Sequence, residues 1–425
     1  MKKIFIPIVS LALLFTSCNE EYLDPTKPSQ NMVLSTRDGI IGASNGLQQL
    51  WTIDRISPVY NTVTGNGFTT LELRLLNAGN VDEGELSIGG EVLSTKNTVV
   101  NNLWSQCLII NSESQKILDN VNVLTSETER ASVLVHASIF KALALSTLVQ
   151  YFQNVPLRTE KNAAFNTRTE VLNAAIAYLK ATEPSLDKAT GFAGLVNTIN
   201  YKNTVYALLA RMYMMTGDND NALKYAGLVD LNVKSVFGFD VISNNPIAFI
   251  SITTNNVFQP VNLTLGLPAS LTPNASDERL NFYIKPGSNP TVATGFFDTN
   301  TKAIPVYLPG EMMLLKAEAY ARKDNVPQAI IELNKVLTKT TATDAYGIGA
   351  NLPPYVGAVT KDAVLEQIYR NRCIEMYMSS LKLEDSRRFN RTGAGLTGAE
   401  RNRNWYPYPD SEKNNNTNTP ADPAI

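Results

Sequence analysis

Two stretches of this chain repeat each other: "LLARMYMMTGDNDNALKYAGLV" (Leu208–Val229) and "LKAEAYARKDNVPQAIIELNKV" (Leu315–Val336). At a constant offset they match at small and aromatic positions: Ala210 with Ala317, Tyr213 with Tyr320, and Ala222 with Ala329. In each stretch a tyrosine lies near the end of a helical apolar pattern, a polar turn follows, and an alanine begins the next pattern. The stretches therefore predict two helix pairs of the same design.

This layout resembles that of tetratricopeptide repeats, in which small residues lie where two antiparallel helices touch. Stacks of such helix pairs usually present binding surfaces rather than catalytic centres. We therefore expect a mainly α protein in which tetratricopeptide-like helix pairs stack into an α-α superhelix.

The same periodicity extends to other parts of the chain and predicts helix pairs at about 98–152, 168–230, 305–340 and 361–390. Between them, about 52–97 and 231–304 are rich in Gly, Asn, Thr or Pro and predict irregular structure. Such stretches exceed ordinary connections, and long loops on a rigid scaffold tend to carry function. We expect one domain over 36–425 that includes a loop-rich subdomain.

The composition excludes several classes of function. The 425 residues carry a net charge of -2, so no basic excess indicates a nucleic-acid partner. Three cysteines and one histidine, His136, are too few for a typical zinc site, and no CxxC pair is present. Cys107 and Cys373 lie in apolar helical patterns, and we expect two buried free thiols rather than a disulfide.

The N-terminus has the pattern of an export signal. Lys2 and Lys3 precede twelve mostly apolar residues, Ile4–Phe15, whereas a membrane-spanning helix needs about 20. We expect residues 1–17 to be a signal peptide, and we expect no later segment to span a membrane.

The four residues ending at Cys18, "FTSC", resemble a bacterial lipobox. The resemblance implies cleavage before Cys18 and acylation of its thiol and its new amine. Two or three acyl chains would hold the protein stably in a membrane, with residues 18–35 as a lipidated tether. An ordinary signal peptide that leaves Cys18 free is the alternative.

Several further motifs keep a common order along the chain. They are "YLDP" (Tyr22–Pro25), "KALALSTLVQYFQNVPL" (Lys141–Leu157), "SDERL" (Ser276–Leu280), "LLKAEAYAR" (Leu314–Arg322), "RNRCIEMYMSSLKLEDSRRFNR" (Arg370–Arg391) and "WYPYPDSE" (Trp405–Glu412). Together they resemble the SusD/RagB family of outer-membrane lipoproteins of nutrient uptake. Asn371, Ser379, Ser380, Lys382 and Phe389 depart from the family's pattern.

The resemblance implies a SusD-like fold and a protein that is not an enzyme and needs no cofactor. Members lie at the cell surface, anchored in the outer membrane, and cover a SusC-like TonB-dependent transporter. They bind oligosaccharides or other large nutrients and deliver them for import. Glu20 and Glu21, which follow Cys18 after Asn19, resemble the surface-export signals of Bacteroidota lipoproteins.

Candidate ligand residues follow from the chemistry of sugar recognition, which uses aromatic faces with amide and charged groups. The irregular stretches offer such side chains: Tyr60, Phe68, Arg74, Asn77, Asn80, Phe258, Tyr283 and Phe296. Local packing is the alternative for each aromatic residue. Trp51, Trp104 and Trp405 are expected in the core, and His136 is expected to be a helix residue rather than a ligand.

The charged motif near the C-terminus has a structural interpretation. Arg372 and Glu375 are three residues apart on one predicted helix and can pair, and Asp385 and Arg388 repeat that spacing. We expect partly buried ion pairs that fix a terminal helix rather than an acid/base site.

Two other classes of function stay open. An exported glycoside hydrolase would need two carboxylates roughly 5–10 Å apart, which a sequence cannot exclude. Uptake of peptides or glycoproteins, or a scaffold that binds peptides, also fits helix-pair repeats.

Overall fold

The computed structural model describes residues 30–196, 198–254, 256–287 and 291–425, and these form fifteen α-helices. They are α1 (Gln30–Leu34), α2 (Arg37–Thr52), α3 (Pro58–Thr69), α4 (Val81–Ile88), α5 (Thr98–Asn120), α6 (Glu127–Tyr151), α7 (Arg168–Ala181), α8 (Tyr201–Thr216), α9 (Asn219–Leu228), α10 (Glu278–Tyr283), α11 (Pro309–Arg322), α12 (Val326–Thr338), α13 (Lys361–Glu375), α14 (Lys382–Arg388) and α15 (Asp410–Asn415). The prediction of a mainly α fold is confirmed.

Eight short strands pair as four antiparallel two-stranded sheets within the described ranges. The strands are β1 (Leu73–Leu75), β2 (Asn154–Pro156), β3 (Phe165–Thr167), β4 (Val236–Phe237), β5 (Phe258–Pro260), β6 (Ile284–Pro286), β7 (Thr291–Ala293) and β8 (Ile304–Pro305). They pair as β1 with β5, β2 with β3, β4 with β8, and β6 with β7. A π-helical segment, Ile247–Thr254, lies in the central region.

The two repeated stretches form matching helical hairpins, α8–α9 and α11–α12. Their turns are built alike, because Gly217 (φ 81°) and Asp324 (φ 61°) occupy the same left-handed position of the repeat. The next residue caps the following helix in both: the side chain of Asp218 accepts from Asn221 N, and that of Asn325 accepts from Gln328 N. The repeat therefore specifies the turn as well as the helices.

The hairpins stack in chain order. Helix α11 packs against both α9 and α13. The alanines of the repeat, Ala210, Ala222, Ala317 and Ala329, are all buried, as close helix contacts require. A separate small core lies between α11, α12 and α13 around Leu333 and Ile368.

Helix α6 is the centre of the main core. By length and composition it is the one helix among the described residues that could cross a membrane, although no segment after the signal peptide was expected to be long and apolar enough. However, 94% of its most apolar window is buried inside the protein. It packs against α5 and α7, so its apolar character is explained by its place in the core.

The stretch 52–97 differs from the irregular structure expected there, since it contains α3 and α4. Ser57 caps α3 by accepting from Tyr60 N, and Pro58 occupies the first turn. Every residue of α3 is buried, including Asn61 and Asn66. Tertiary burial thus supports a helix whose Asn, Thr and Gly content has weak helical propensity.

The predicted leader (1–17) and Cys18 lie outside the described residues, as does most of the tether proposed for 18–35.

Candidate functional site

Five predicted ligand residues lie in the main core: Tyr60, Phe68, Phe258, Tyr283 and Phe296. Phe68 packs edge-on against Phe258 with ring centroids 5.7 Å apart, and Tyr283 packs against Phe296 at 6.4 Å. Their exposed fractions are 7% or less. Four of these rings thus pack in pairs inside the protein and, with the buried Tyr60, form no exposed sugar-stacking surface.

The three polar candidates lie near one another in chain order but in different surroundings. Asn77 is exposed, and its side chain accepts from Gly79 N in a tight turn at 2.9 Å. Asn80 is half-buried and donates to the carbonyl of Asn77 at 3.2 Å. Arg74 lies on β1, and its Nε and Nη2 are buried without a partner in the described part of the chain.

Asn80 lines a cleft of about 440 Å³ that we call the Arg55 cleft. It is formed by the turn before α3 with the first turn of α3, by the turn before α4 with the first turn of α4, and by the start of α5. Its lining residues are Arg55, Ile56, Asn61, Gly79, Asn80, Val81, Asp82, Glu83, Thr98, Val99 and Asn102. Ile56 and Val81 are 46% and 66% exposed, so the rim is apolar while the floor is polar.

Glu83 is the central group of the Arg55 cleft. Its side chain is fully buried, and Oε1 accepts from the Tyr60 hydroxyl at 2.9 Å and from the Arg55 guanidinium. Arg55 also donates to Asn80 Oδ1 at 3.3 Å, and its guanidinium lies 5.8 Å from the centre of the Tyr60 ring. Tyr60 thus contacts Glu83 and Arg55 but does not itself line the cleft.

Two buried acceptors in this cleft have no partner among the described residues: Glu83 Oε2 and Asn61 Oδ1. An unpaired buried polar atom costs free energy comparable to a lost hydrogen bond, so native proteins rarely keep one without a reason. Both acceptors can receive hydroxyl or amine hydrogens, and Arg55 can donate. The cleft therefore suits a ligand rich in hydroxyl groups.

Sequence reasoning missed Arg55, Asn61 and Glu83. Arg55 and Glu83 are 28 residues apart and meet only because α3 turns the chain back on itself. No local spacing signals that pairing, although two acidic residues at the start of α4 were visible in the sequence.

The charged C-terminal motif forms a second polar cluster, the ion-paired layer, between α11, α13 and α14. Arg372 donates to Asp385 through Nε at 2.8 Å and Nη2 at 3.0 Å. Arg388 donates to both oxygens of Glu318, at 2.7 and 2.9 Å, and to Asp385 at 2.8 Å. The structural interpretation of Asp385 and Arg388 therefore agrees with the geometry.

The pairing expected between Arg372 and Glu375 is wrong. Glu375 accepts instead from Arg279 at 3.1 Å and from Lys339, and all three side chains are at most 5% exposed. The two residues lie on one helix, but each is drawn to a different buried neighbour, because tertiary partners offer better geometry than an i, i+3 contact.

Within the ion-paired layer, both oxygens of Glu318 accept from arginines. Burial alone would raise the pKa of Glu318, but the neighbouring Arg388, Arg372 and Arg322 lower it to about 2. The carboxylate is thus firmly ionised and leaves no proton for acid/base chemistry near neutral pH.

The remaining singled-out residues are structural. Cys107 and Cys373 are free, buried thiols as predicted. Burial raises the pKa of both. His136 is fully buried on α6, with Nδ1 2.9 Å from the Ser44 hydroxyl, and desolvation lowers its pKa to about 3. Trp104 is buried as expected, whereas Trp405 is half-buried under the Arg387 guanidinium at 3.8 Å.

The second half of the sequence matches a known protein family. The sequence model of the SusD family matches residues 210–424, which is half of the chain. This chain belongs to the SusD family. The matched region begins within α8 and contains the rest of the first repeated hairpin, all of the second and the ion-paired layer, whereas the Arg55 cleft lies before it.

Solved SusD structures share the fold over almost the whole chain. A SusD superfamily protein from Bacteroides fragilis is 15% identical, with a TM-score of 0.67, and the match covers 91% of this chain and 99% of that chain. A SusD homolog from Bacteroides thetaiotaomicron is 12% identical, with a TM-score of 0.71 and coverages of 94% and 99%. A SusD-like carbohydrate binding protein from Bacteroides vulgatus is 14% identical, with a TM-score of 0.69 and coverages of 90% and 97%. No curated protein matches the chain.

Proposed function

We propose that this SusD-family protein captures glycans at the cell surface and delivers them to a SusC-like TonB-dependent transporter. The observation that carries the ligand part of the proposal is the Arg55 cleft, in which Glu83 Oε2 and Asn61 Oδ1 lack partners among the described residues. Sugar hydroxyls would supply the missing donors. The similar structure of a carbohydrate binding protein from Bacteroides vulgatus supports this ligand class.

The cleft offers both polar and apolar contacts for a sugar ring. Arg55 and Asn80 present donors and acceptors at its edge, and the exposed Ile56 and Val81 can cover the apolar C–H face of a ring. Among the described residues no aromatic side chain lines the cleft, so contact with the ring would be aliphatic. Binding without turnover is expected, and the ion-paired layer holds its carboxylates ionised in buried pairs.

Calorimetry and affinity electrophoresis against a panel of soluble polysaccharides test the capture function. We expect at least one glycan to bind, and we expect Glu83→Gln to weaken that binding about tenfold, since a hydrogen bond to a charged group contributes about 1.5–3 kcal/mol. Glu91→Gln, an exposed position outside the cleft, is the matched control. Binding of peptides but no glycan would replace this proposal with peptide uptake, and release of reducing sugar would indicate an enzyme.

Anchoring and delivery need separate experiments. We propose that Cys18 is acylated and holds the protein on the outer membrane, facing the medium. Labelling with a fatty-acid probe should disappear in Cys18→Ala, and labelling that persists would contradict the anchor. Purification of the lipidated protein from native membranes should recover a TonB-dependent barrel, and its absence from a mild-detergent extract would count against delivery.

A further inference from the structure

A second groove, which we call the Lys141 groove, runs along α5 on the side where α6, α7 and the segment 156–163 meet. It consists of two adjoining cavities of about 480 and 620 Å³, which share Ser112, Arg158, Thr159 and Glu160. Residues of α5 at helical spacing line it, from Ser105 through Ile109 and Ser112 to Lys116. The groove is thus an elongated surface rather than a single small pocket.

Lys141 is the unusual residue of this groove. It lies on α6, whose other central residues are core positions, and it is only 3% exposed. Its ammonium donates to the Asn111 carbonyl at 3.1 Å and to Asn111 Oδ1 at 2.6 Å, and it lies 4.8 Å from the centre of the Tyr178 ring. No carboxylate pairs with it in the described part of the chain.

The free-energy cost of burying the Lys141 ammonium is reflected in its pKa. Burial lowers the pKa of Lys141 to about 8, and the more distant Asp119 only partly opposes that shift. A buried ammonium with neutral partners is poorly compensated, since buried charges are usually paired with an opposite charge. An anion in the groove would supply the negative charge that no described carboxylate places beside Lys141.

The other charges of the groove are mixed, since Glu113, Glu160 and Glu412 line it beside Lys116, Lys161 and Arg158, and Arg158 is the one that favours the same kind of ligand. Arg158 is exposed, lines both cavities and forms no ion pair within the described residues. Lys116 is already paired with Glu113 at 2.7 Å. A guanidinium presents two parallel N–H groups that match a carboxylate, so Arg158 and Lys141 could hold one from two sides.

We propose that the Lys141 groove binds the carboxylate of an acidic sugar, a uronic acid within the captured glycan. This deepens the proposed function, on which it rests, by naming the sugar class. The carboxylate would lie between Lys141 and Arg158. The neighbouring apolar residues Leu108 and Ile109, the latter 41% exposed, would cover the C–H face of the adjoining ring.

Paired ligands that differ only in charge test the proposal. We would titrate the full chain with trigalacturonic acid and a hyaluronan tetrasaccharide, and with the methyl esters of both. At least one acid should bind about tenfold more tightly than its ester, as charge-assisted hydrogen bonds predict. The preference should vanish in Lys141→Met and shrink at least about threefold in Arg158→Gln.

A matched control variant is available elsewhere on the chain. Lys224 is exposed and lies 4.9 Å from the centre of the Tyr225 ring, much like the Lys141–Tyr178 contact but outside the groove. Lys224→Met should keep the full preference for the acid. Arg158→Gln, at an exposed site, decides the matter if Lys141→Met fails to fold.

The outcomes separate this inference from the proposed function. Equal affinity for acid and ester overturns the acidic-sugar site and leaves glycan capture standing. A preference for the acid that survives Lys141→Met and Arg158→Gln overturns the placement of the site. Failure of both acids and both esters to bind, with a neutral glycan bound in the panel, overturns the inference alone, and failure of every glycan overturns both.

Discussion

Glu318 and Glu83 are both fully buried carboxylates, and their surroundings differ. Glu318 lies in the ion-paired layer, where it accepts from Arg388 through both oxygens and from Arg322 at 2.8 Å. Glu83 lies in the Arg55 cleft, where one oxygen is paired and the other has no partner among the described residues. A saturated buried charge holds helices together, whereas a half-satisfied one leaves bonding capacity for a ligand.

The same substitution in both places tests this difference, and the largest effect is expected at Glu318→Gln. The change leaves Arg388, Arg322 and Arg372 short of a buried negative charge, so we expect a loss of about 3 kcal/mol in the free energy of unfolding, measured with urea. Glu127→Gln is the control, because its pair with Lys188 is exposed on both sides and should contribute nothing measurable. A loss at Glu318 as small as in this control would refute the structural role.

The layer also predicts acid sensitivity. Its interactions lower the folded-state pKa of Glu318 to about 2, below the ordinary value of 4.5. This contribution is therefore complete above about pH 4.5 and is lost as the pH falls through about 2. Unfolding titrations should show a shallower acid loss in Glu318→Gln than in the wild type, and parallel curves would contradict the assignment.

Two other buried groups, Glu72 and His136, sharpen the comparison, because neither forms an ion pair in the part of the chain that the structure describes. Burial raises the pKa of Glu72 to about 7, although Lys382 opposes the shift, and desolvation lowers the pKa of His136 to about 3. Between about pH 4.5 and 6.5 folded Glu72 holds a proton that the unfolded state lacks, and unfolded His136 holds one that the folded state lacks. The two contributions to the pH slope of stability then cancel.

In each single variant, the free energy of unfolding should change with pH by up to about 1.4 kcal/mol per pH unit. The sign of this slope should be opposite in the two variants. In His136→Gln, stability should rise as the pH falls through the window, and in Glu72→Gln it should fall. The double variant should return to a flat profile. Slopes of the same sign in the two single variants would show that another group controls this pH range.

Glu83→Gln should have the smallest effect on the ligand-free protein, about 1 kcal/mol or less, since an amide oxygen can still accept from Tyr60 and Arg55. The difference should appear with ligand. A glycan at a hundred times its dissociation constant stabilises the wild type by about 2.7 kcal/mol, and a tenfold weaker variant would gain about half of that. Equal stabilisation of both proteins would place the ligand outside the Arg55 cleft.

Much of the scaffold could be read from local sequence. The constant offset between the two repeats predicted both helical hairpins, and even their turns agree, with Gly217 and Asp324 in one conformation and Asp218 and Asn325 as caps. Such features depend on periodicity and capping within a few residues, so they are visible without the fold. Helix α3 was missed because its stability comes from burial rather than from its own composition.

The site depended on contacts that no local pattern encodes. The sequence offered Tyr60 and Asn80 as ligand residues, but only the folded chain brings Arg55 and Glu83 between them, and it moves Phe68 and Tyr283 into the core. Likewise, spacing suggested a pair between Arg372 and Glu375, and packing gave each a different partner. Sequence by itself determined the helix pairs and their turns, which are local. Tertiary structure alone decided which buried charges are saturated and which stay open, because a buried charge takes its partner from whichever element packs against it.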